Sequence, residues 1–301
     1  MSDTPETTPP IEPRYKSVDE AAKIYLLPNA FTAGNMLCGF LAMQKCIDAK
    51  FTHTGAPDAE RLAFADYRMA VYLILGACVC DAFDGRVARM SRRESLFGAE
   101  FDSIADTVSF GLAPSLLVSF LILSPRDTST GTLAELMRDY GWVVAFIYLL
   151  CVGVRLARFN VITNPLVPGS EKRKSTGEFM GLPSPAAAGM TASLVLLLTN
   201  GNEAVFRLSP LLLPLMLLIS YIMVSNIPYP SFEHVNWNTG ARAKAFIGMI
   251  VAAVLVAKWF VYAVPALFLA YIFYGIGRDI RRRFFMKKED LANEDIPDDN
   301  F

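Results

Sequence analysis

Long apolar runs separated by short polar segments dominate this chain. Several approach the roughly 20 residues that a helix needs to cross a bilayer. The runs cover about residues 27–48, 67–90, 98–123, 141–163, 182–200, 208–226, 244–262 and 264–280. Only the step at residues 263–265 separates the last two, where Pro265 favours a break, so six or seven spans also fit the pattern. We therefore predict an all-α, polytopic membrane bundle of about eight transmembrane helices.

Composition and charge support a membrane protein with a defined orientation. Hydrophobic residues make up 53% of the 301 positions, above the roughly 45–50% of soluble domains. Most of the 28 Lys and Arg residues fall in segments that would face the cytoplasm if the N-terminus lies inside. We expect a polar tail at residues 1–22, a membrane domain at 23–284 and a charged tail at 285–301, with both termini cytoplasmic.

Four aspartates lie where two of these apolar runs meet. They are Asp81, Asp84, Asp102 and Asp106. Each carboxylate within a membrane helix costs about 2.5–3.5 kcal/mol on insertion scales, so the four need compensating cations. The spacing i, i+3 places Asp81 and Asp84 on one helical face, and i, i+4 does the same for Asp102 and Asp106. Two helices joined by a short turn near residues 90–97 can turn these faces toward each other.

Small residues beside the aspartates predict a cleft. Gly85 and Ala88 lie next to Asp84, and Gly98 shares a face with Asp102 and Asp106. Four carboxylates in a cleft suit hard cations such as Mg²⁺ or Mn²⁺, which prefer oxygen ligands. A pair of such ions about 3.5–4 Å apart suits displacement at phosphorus.

The residues alone leave other interpretations open. Arg86 and Arg89 are placed to pair with substrate phosphates, but nearby arginines can also form structural ion pairs with the aspartates. Intramembrane acids also line cation pathways, so an acid-lined cation transporter is an alternative.

The stretch resembles the signature of the CDP-alcohol phosphotransferase family, D-x2-D-G-x2-A-R-x8-G-x3-D-x3-D. All its fixed positions are matched, by Asp81, Asp84, Gly85, Ala88, Arg89, Gly98, Asp102 and Asp106. The resemblance implies an integral membrane enzyme that transfers a phosphoalcohol from a CDP-linked donor to a hydroxyl and releases CMP. It also implies that the aspartates bind two metal ions, that Asp106 is also the general base, and that Gly85 and Ala88 make room for the nucleotide. Homodimerisation is a further expectation from the family.

Other segments resemble the phosphatidylserine synthase branch of that family. They are residues 27–40, which contain Thr32 and Asn35, residues 155–160, which contain Arg155 and Arg158, and residues 179–188 and 224–232. The resemblance implies CDP-diacylglycerol as donor, L-serine as acceptor, and phosphatidylserine and CMP as products. Thr32 and Asn35 are candidates for contact with the nucleotide. Arg86, Arg155 and Arg158 are candidates for binding the acceptor carboxylate or a phosphate. Glycerol 3-phosphate, an inositol phosphate or choline is the alternative acceptor.

Overall fold

The computed structural model describes residues 25–53, 57–91, 95–122, 132–163, 178–201, 206, 208–230 and 258–294. Almost all of these residues are helical, which confirms the predicted all-α class. The helices are α1 (Leu26–Phe51), α2 (Ala59–Ser91), α3 (Leu96–Asp106), α4 (Ala113–Ile122), α5 (Thr132–Thr163), α6 (Ser184–Leu198), α7 (Leu212–Val224) and α8 (Phe260–Glu294). A π-helix, Thr107–Leu112, joins α3 to α4, and a 3₁₀ turn, Ser209–Leu211, precedes α7.

Apolar helices of spanning length make this an integral membrane protein. Within the described residues, four helices are long and apolar enough to cross a bilayer, at Ala59–Val87, Leu96–Ile122, Asp139–Ile162 and Phe260–Arg282. Two shorter apolar helices are Ser184–Leu198 and Ser209–Val224. Helix α1 is not among the four. The count of eight spans is not confirmed. Most of the predicted span 244–262 lies outside the described residues.

The break predicted at Pro265 is wrong. Helix α8 begins at Phe260 and continues through Pro265 to Glu294. Proline lacks an N–H and so removes the hydrogen bond to the carbonyl four residues earlier, here Val261. Pro265 lies near the start of a long helix, so the loss of one bond does not end the helix.

Helix α1 packs along α2 and also contacts α3 and the π-helix. Helix α6 packs against α2 and α8, while α5 packs against α7. Fully buried side chains such as Ile74, Leu117 and Tyr148 fill the interior. This arrangement places α1 against both helices that carry the aspartates.

Charged residues join the ends of α1 and α2 that are remote from the aspartates. The Lys45 ammonium lies 3.1 Å from carboxylate oxygens of Asp48 and of Asp66. The His53 Nε2 atom lies 2.7 Å from the other Asp66 oxygen. These contacts pair charged side chains of α1 and α2 with each other at the ends of the two helices.

A small sheet connects two of the segments that resemble phosphatidylserine synthases, residues 179–188 and 224–232. Strand β1 (Glu178–Met180) pairs antiparallel with β2 (Pro228–Pro230). The next residue, Gly181, has φ +81°, and its N–H donates a 2.9 Å hydrogen bond to the Ile227 carbonyl. A Cβ atom at Gly181 would overlap the Met223 carbonyl, so glycine is required both by its backbone angle and by the close approach.

Candidate active site

Three of the four predicted aspartates come together in one cluster. Asp81 of α2 meets Asp102 and Asp106 of α3, and one carboxylate oxygen from each lies within 4.8 Å of the others. Helix α3 begins directly after Ser95, whose hydroxyl accepts a 3.1 Å hydrogen bond from the Gly98 N–H. This N-cap starts α3 soon after α2 ends at Ser91. Residues 92–94, at the centre of the turn predicted between the two helices, lie outside the described residues.

The donor set of this cluster fits a divalent metal. All three side chains offer carboxylate oxygens, the ligand type that Mg²⁺ and Mn²⁺ prefer. The Asp102 Oδ1 atom is buried and has no hydrogen-bond partner among the described residues. A buried carboxylate oxygen without a donor costs free energy, and a bound cation would remove that cost.

Helix α1 supplies hydrogen bonds to the aspartates. The Thr32 hydroxyl donates to Asp84 Oδ2 at 3.1 Å, and the Asn35 amide Nδ2 donates to Asp106 Oδ1 at 3.0 Å. Thr32 and Asn35 are both buried, as are Asp84 and Asp106. The sequence predicted nucleotide contacts for Thr32 and Asn35. In this structure the Thr32 hydroxyl and the Asn35 amide donate their hydrogen bonds to Asp84 and Asp106.

The fourth aspartate, Asp84, lies outside the three-carboxylate cluster. Its carboxylate is still close enough to that of Asp102 for their negative charges to repel each other. Among the other predicted residues, Gly85 is half-buried on α2 and the Arg86 side chain is exposed. The side chains of Ala88 and Arg89 lie outside the described part of the structure.

The two arginines at the end of α5 have different surroundings. The Arg155 Nη1 atom donates to the Ser184 hydroxyl at 2.8 Å, and the guanidinium lies within electrostatic range of Asp81 and Asp106. The Arg155 Nε atom is buried and has no partner among the described residues. One turn later, Arg158 donates to Asn226 Oδ1 at 2.7 Å. The structure thus brings Arg155 near the carboxylates and joins Arg158 to the chain beside β2.

Three polar residues of this region had been given no individual role from the sequence. Ser184 bonds to Arg155, and Asn226 bonds to Arg158. Asn160 exchanges hydrogen bonds with Ser103 of α3, at 2.9 Å through its Nδ2 atom. All three lie in segments whose resemblance to the family was noted, but a hydrogen-bond partner distant in sequence leaves no local pattern.

Comparison with known proteins decides the family. Residues 25–225 match the sequence profile of the CDP-alcohol phosphatidyltransferases, which covers more than half of the chain. The chain belongs to the CDP-alcohol phosphatidyltransferase family. This result confirms the family that the aspartate signature predicted.

Several proteins similar to this chain share the name CDP-diacylglycerol–serine O-phosphatidyltransferase. The protein from Helicobacter pylori is 33% identical over 265 residues, which are 88% of this chain and 94% of the relative. The Mycobacterium tuberculosis protein is 30% identical over 78% of this chain and 72% of its own length. The Bacillus subtilis protein is 31% identical over 69% of this chain and 91% of its own length.

Family membership agrees with the chemistry of the cluster. The matched residues 25–225 include α1, both aspartate helices and the two arginines of α5. Members of the family generally use a divalent metal, and the Asp81, Asp102 and Asp106 group could bind one. Helix α8 lies beyond the matched residues.

Proposed function

We propose that this protein transfers the phosphatidyl group of CDP-diacylglycerol to the hydroxyl of L-serine, which yields phosphatidylserine and CMP. The observation that carries the proposal is the Asp81, Asp102 and Asp106 cluster, with carboxylate oxygens within 4.8 Å of one another, in a chain of this family. The shared name of the relatives supports CDP-diacylglycerol as donor and serine as acceptor.

The four aspartates would hold two divalent ions, Mg²⁺ or Mn²⁺. Asp81, Asp102 and Asp106 would bind through the clustered oxygens, and Asp84 would complete the set from its position near Asp102. Divalent ions bound here would offset the negative charge of the donor phosphates and of the departing CMP.

The protein's own residues would move the proton and place the acceptor. Asp106 would accept the proton of the serine hydroxyl as general base. The serine oxygen then bonds to the phosphorus that carries diacylglycerol, while the bond from that phosphorus to the bridging oxygen of CMP breaks. The bridging oxygen and the bonding electron pair leave with CMP.

Of the three candidate arginines, Arg155 would bind the acceptor carboxylate. Its guanidinium is oriented by Ser184, lies within electrostatic range of Asp106 and keeps a buried Nε atom without a partner among the described residues. Arg86 is exposed and Arg158 bonds to Asn226, so both remain weaker candidates for an acceptor or phosphate contact.

The donor nucleotide would lie against the small residues beside the aspartates. The sequence predicts that Thr32, Asn35, Gly85, Ala88, Arg89 and Gly98 face it. Of these, Gly85, Ala88, Arg89 and Gly98 keep that proposed role, because the donors of Thr32 and Asn35 bond to Asp84 and Asp106. The acyl chains would enter laterally from the bilayer. We also propose that the site opens to the cytoplasm at the inner membrane, that both termini are cytoplasmic, and that the protein is a homodimer. Cysteine accessibility and chemical cross-linking in native membranes test these three statements.

A product assay across acceptors tests the function. The purified protein is incubated with CDP-diacylglycerol, Mn²⁺ or Mg²⁺, and serine, glycerol 3-phosphate, an inositol phosphate or choline in turn. Lipid products are identified by mass spectrometry and CMP is quantified. We expect phosphatidylserine and CMP in equal amounts with serine only. Product with a different acceptor refutes serine, and no CMP release with any acceptor, together with cation flux in vesicles, refutes the enzyme in favour of a transporter.

A further inference from the structure

Helix α3 ends at Asp106, and the chain continues directly as a π-helix from the next residue. Thr107–Leu112 is a π-helix, a form that occurs mostly as short insertions and often near functional sites. Ser109 lies in this segment and is fully buried. Its hydroxyl donates a 2.8 Å hydrogen bond to the backbone carbonyl of Asn35 in α1. The π-helix therefore bonds directly to the turn of α1 that faces Asp106.

A close approach of the two backbones fixes this contact. A Cβ atom on Gly39 would lie 2.6 Å from the Ser109 Cα atom, nearer than side chains tolerate. Gly39 lies one helical turn after Asn35, so its missing side chain lets the backbone of α1 touch the π-helix beside the Ser109 bond. These contacts fix the position of α1 along the axis of the π-helix.

Asn35 then connects this contact to the reacting carboxylate. The Asn35 side chain is fully buried, and its Nδ2 atom donates to Asp106 Oδ1 at 3.0 Å. The Asn35 Oδ1 atom has no hydrogen-bond partner among the described residues, so within them the side-chain amide bonds to Asp106 alone. A bond to one carboxylate oxygen restrains the orientation of the group and leaves the other oxygen for a metal or a proton.

We infer that Asn35 is a positioning residue for Asp106 and that Ser109 in turn positions Asn35, an inference that rests on the proposed function. Helix α1 would set the orientation of the general base through a chain of two hydrogen bonds, from Ser109 to Asn35 and from Asn35 to Asp106. Groups that orient metal-binding carboxylates typically affect metal affinity or activity by 10–100-fold when removed.

Three variants in detergent or nanodiscs test this inference. Asn35→Ala removes the donor to Asp106, and Ser109→Ala removes the bond to the Asn35 carbonyl. Ser119→Ala is the matched control, because within the described residues the Ser119 hydroxyl bonds to the Ser115 carbonyl of its own helix. We measure Mn²⁺ affinity by electron paramagnetic resonance without substrate, and kcat and KM for CDP-diacylglycerol by CMP release.

The expected result separates positioning from substrate contact. Asn35→Ala should weaken Mn²⁺ binding and lower kcat by about 10–100-fold, with the KM for CDP-diacylglycerol within about threefold of wild type. Ser109→Ala should change the same quantities in the same direction by less, and Ser119→Ala should match wild type.

Two outcomes overturn the inference. A raised KM for CDP-diacylglycerol with unchanged kcat and Mn²⁺ affinity would make Asn35 a nucleotide contact. Unchanged kcat and Mn²⁺ affinity in both Asn35→Ala and Ser109→Ala would remove any positioning role.

If size-exclusion chromatography shows that Asn35→Ala is misfolded, the same measurements on Asn35→Thr and Ser109→Ala test the inference instead. If wild-type protein shows no transfer to serine, the proposed function fails, while the Mn²⁺ measurements still test the inference.

Discussion

The Arg158 Nη2 atom lies 2.7 Å from Asn226 Oδ1, so the last turns of α5 are bonded to the chain between α7 and β2. Arg155, one turn earlier on the same helix, instead donates to Ser184 at the first turn of α6. A pair spaced i, i+3 suggests one shared role from sequence alone. Their different partners give them different roles: Arg155 lies near the carboxylates, whereas Arg158 holds the segment between α7 and β2 against α5.

This separation predicts different defects for the two arginines. Arg155→Gln should lower kcat/KM for serine by about 10–100-fold, the effect of losing one hydrogen bond to a charged group. Arg158→Gln should leave the KM for serine near wild type and lower the thermal unfolding midpoint instead. Steady-state kinetics with serine as the varied substrate and thermal denaturation in detergent check both. A serine defect confined to Arg158→Gln would reverse the assignment.

Replacing the proposed general base should stop turnover without preventing nucleotide binding. Asp106→Asn keeps the shape of the side chain but cannot accept the serine proton, so we expect kcat to fall by about 10²–10⁴-fold. Asp139→Asn, at an exposed position of α5, is the control and should keep full activity. CMP release gives kcat, and calorimetry with CDP and Mg²⁺ reports binding. Full activity in Asp106→Asn would exclude this residue as the base.

Two glycines on α8 should respond in opposite ways to the same substitution. A Cβ atom at Gly275 would overlap the ring of the buried Tyr229, whereas one at Gly277 would meet nothing within 4 Å. Gly275→Ala should therefore cost about 1–3 kcal/mol by overpacking. Gly277→Ala should be neutral or stabilise by up to about 1 kcal/mol through helix propensity. Unfolding in mixed micelles measures both, and equal stability of the two variants would contradict the packing of α8 on β2.

The sequence predicted the aspartate helices because the relevant signals are local. Apolar runs marked α2 and α3, and the spacing of Asp81, Asp102 and Asp106 placed their side chains on facing surfaces. Only helix periodicity is needed for that step. The cluster of these three residues confirms the predicted meeting of the two faces.

The parts that the sequence did not reveal depend on partners distant along the chain. The pairing of β1 with β2 joins Phe179 to Tyr229, and no local pattern announces a two-stranded sheet between apolar helices. The donors that Thr32 and Asn35 direct to aspartates likewise come from helix packing. The predicted helix break at Pro265 was wrong because proline is tolerated near the start of a helix. The sequence alone did not locate that start at Phe260.

The most direct test of the central claim is the Mn²⁺ dependence of labelled serine incorporation into lipid. In the proposed mechanism, Asp81, Asp102 and Asp106 bind the divalent ions needed for phosphatidyl transfer. Protein stripped with EDTA should therefore be inactive and regain phosphatidylserine synthesis as Mn²⁺ is added. Asp102→Asn should need higher Mn²⁺ or fail to recover, because it loses a carboxylate ligand. Serine incorporation that persists at the wild-type rate in metal-free protein, or an Asp102→Asn variant with an unchanged Mn²⁺ dependence, would contradict the account.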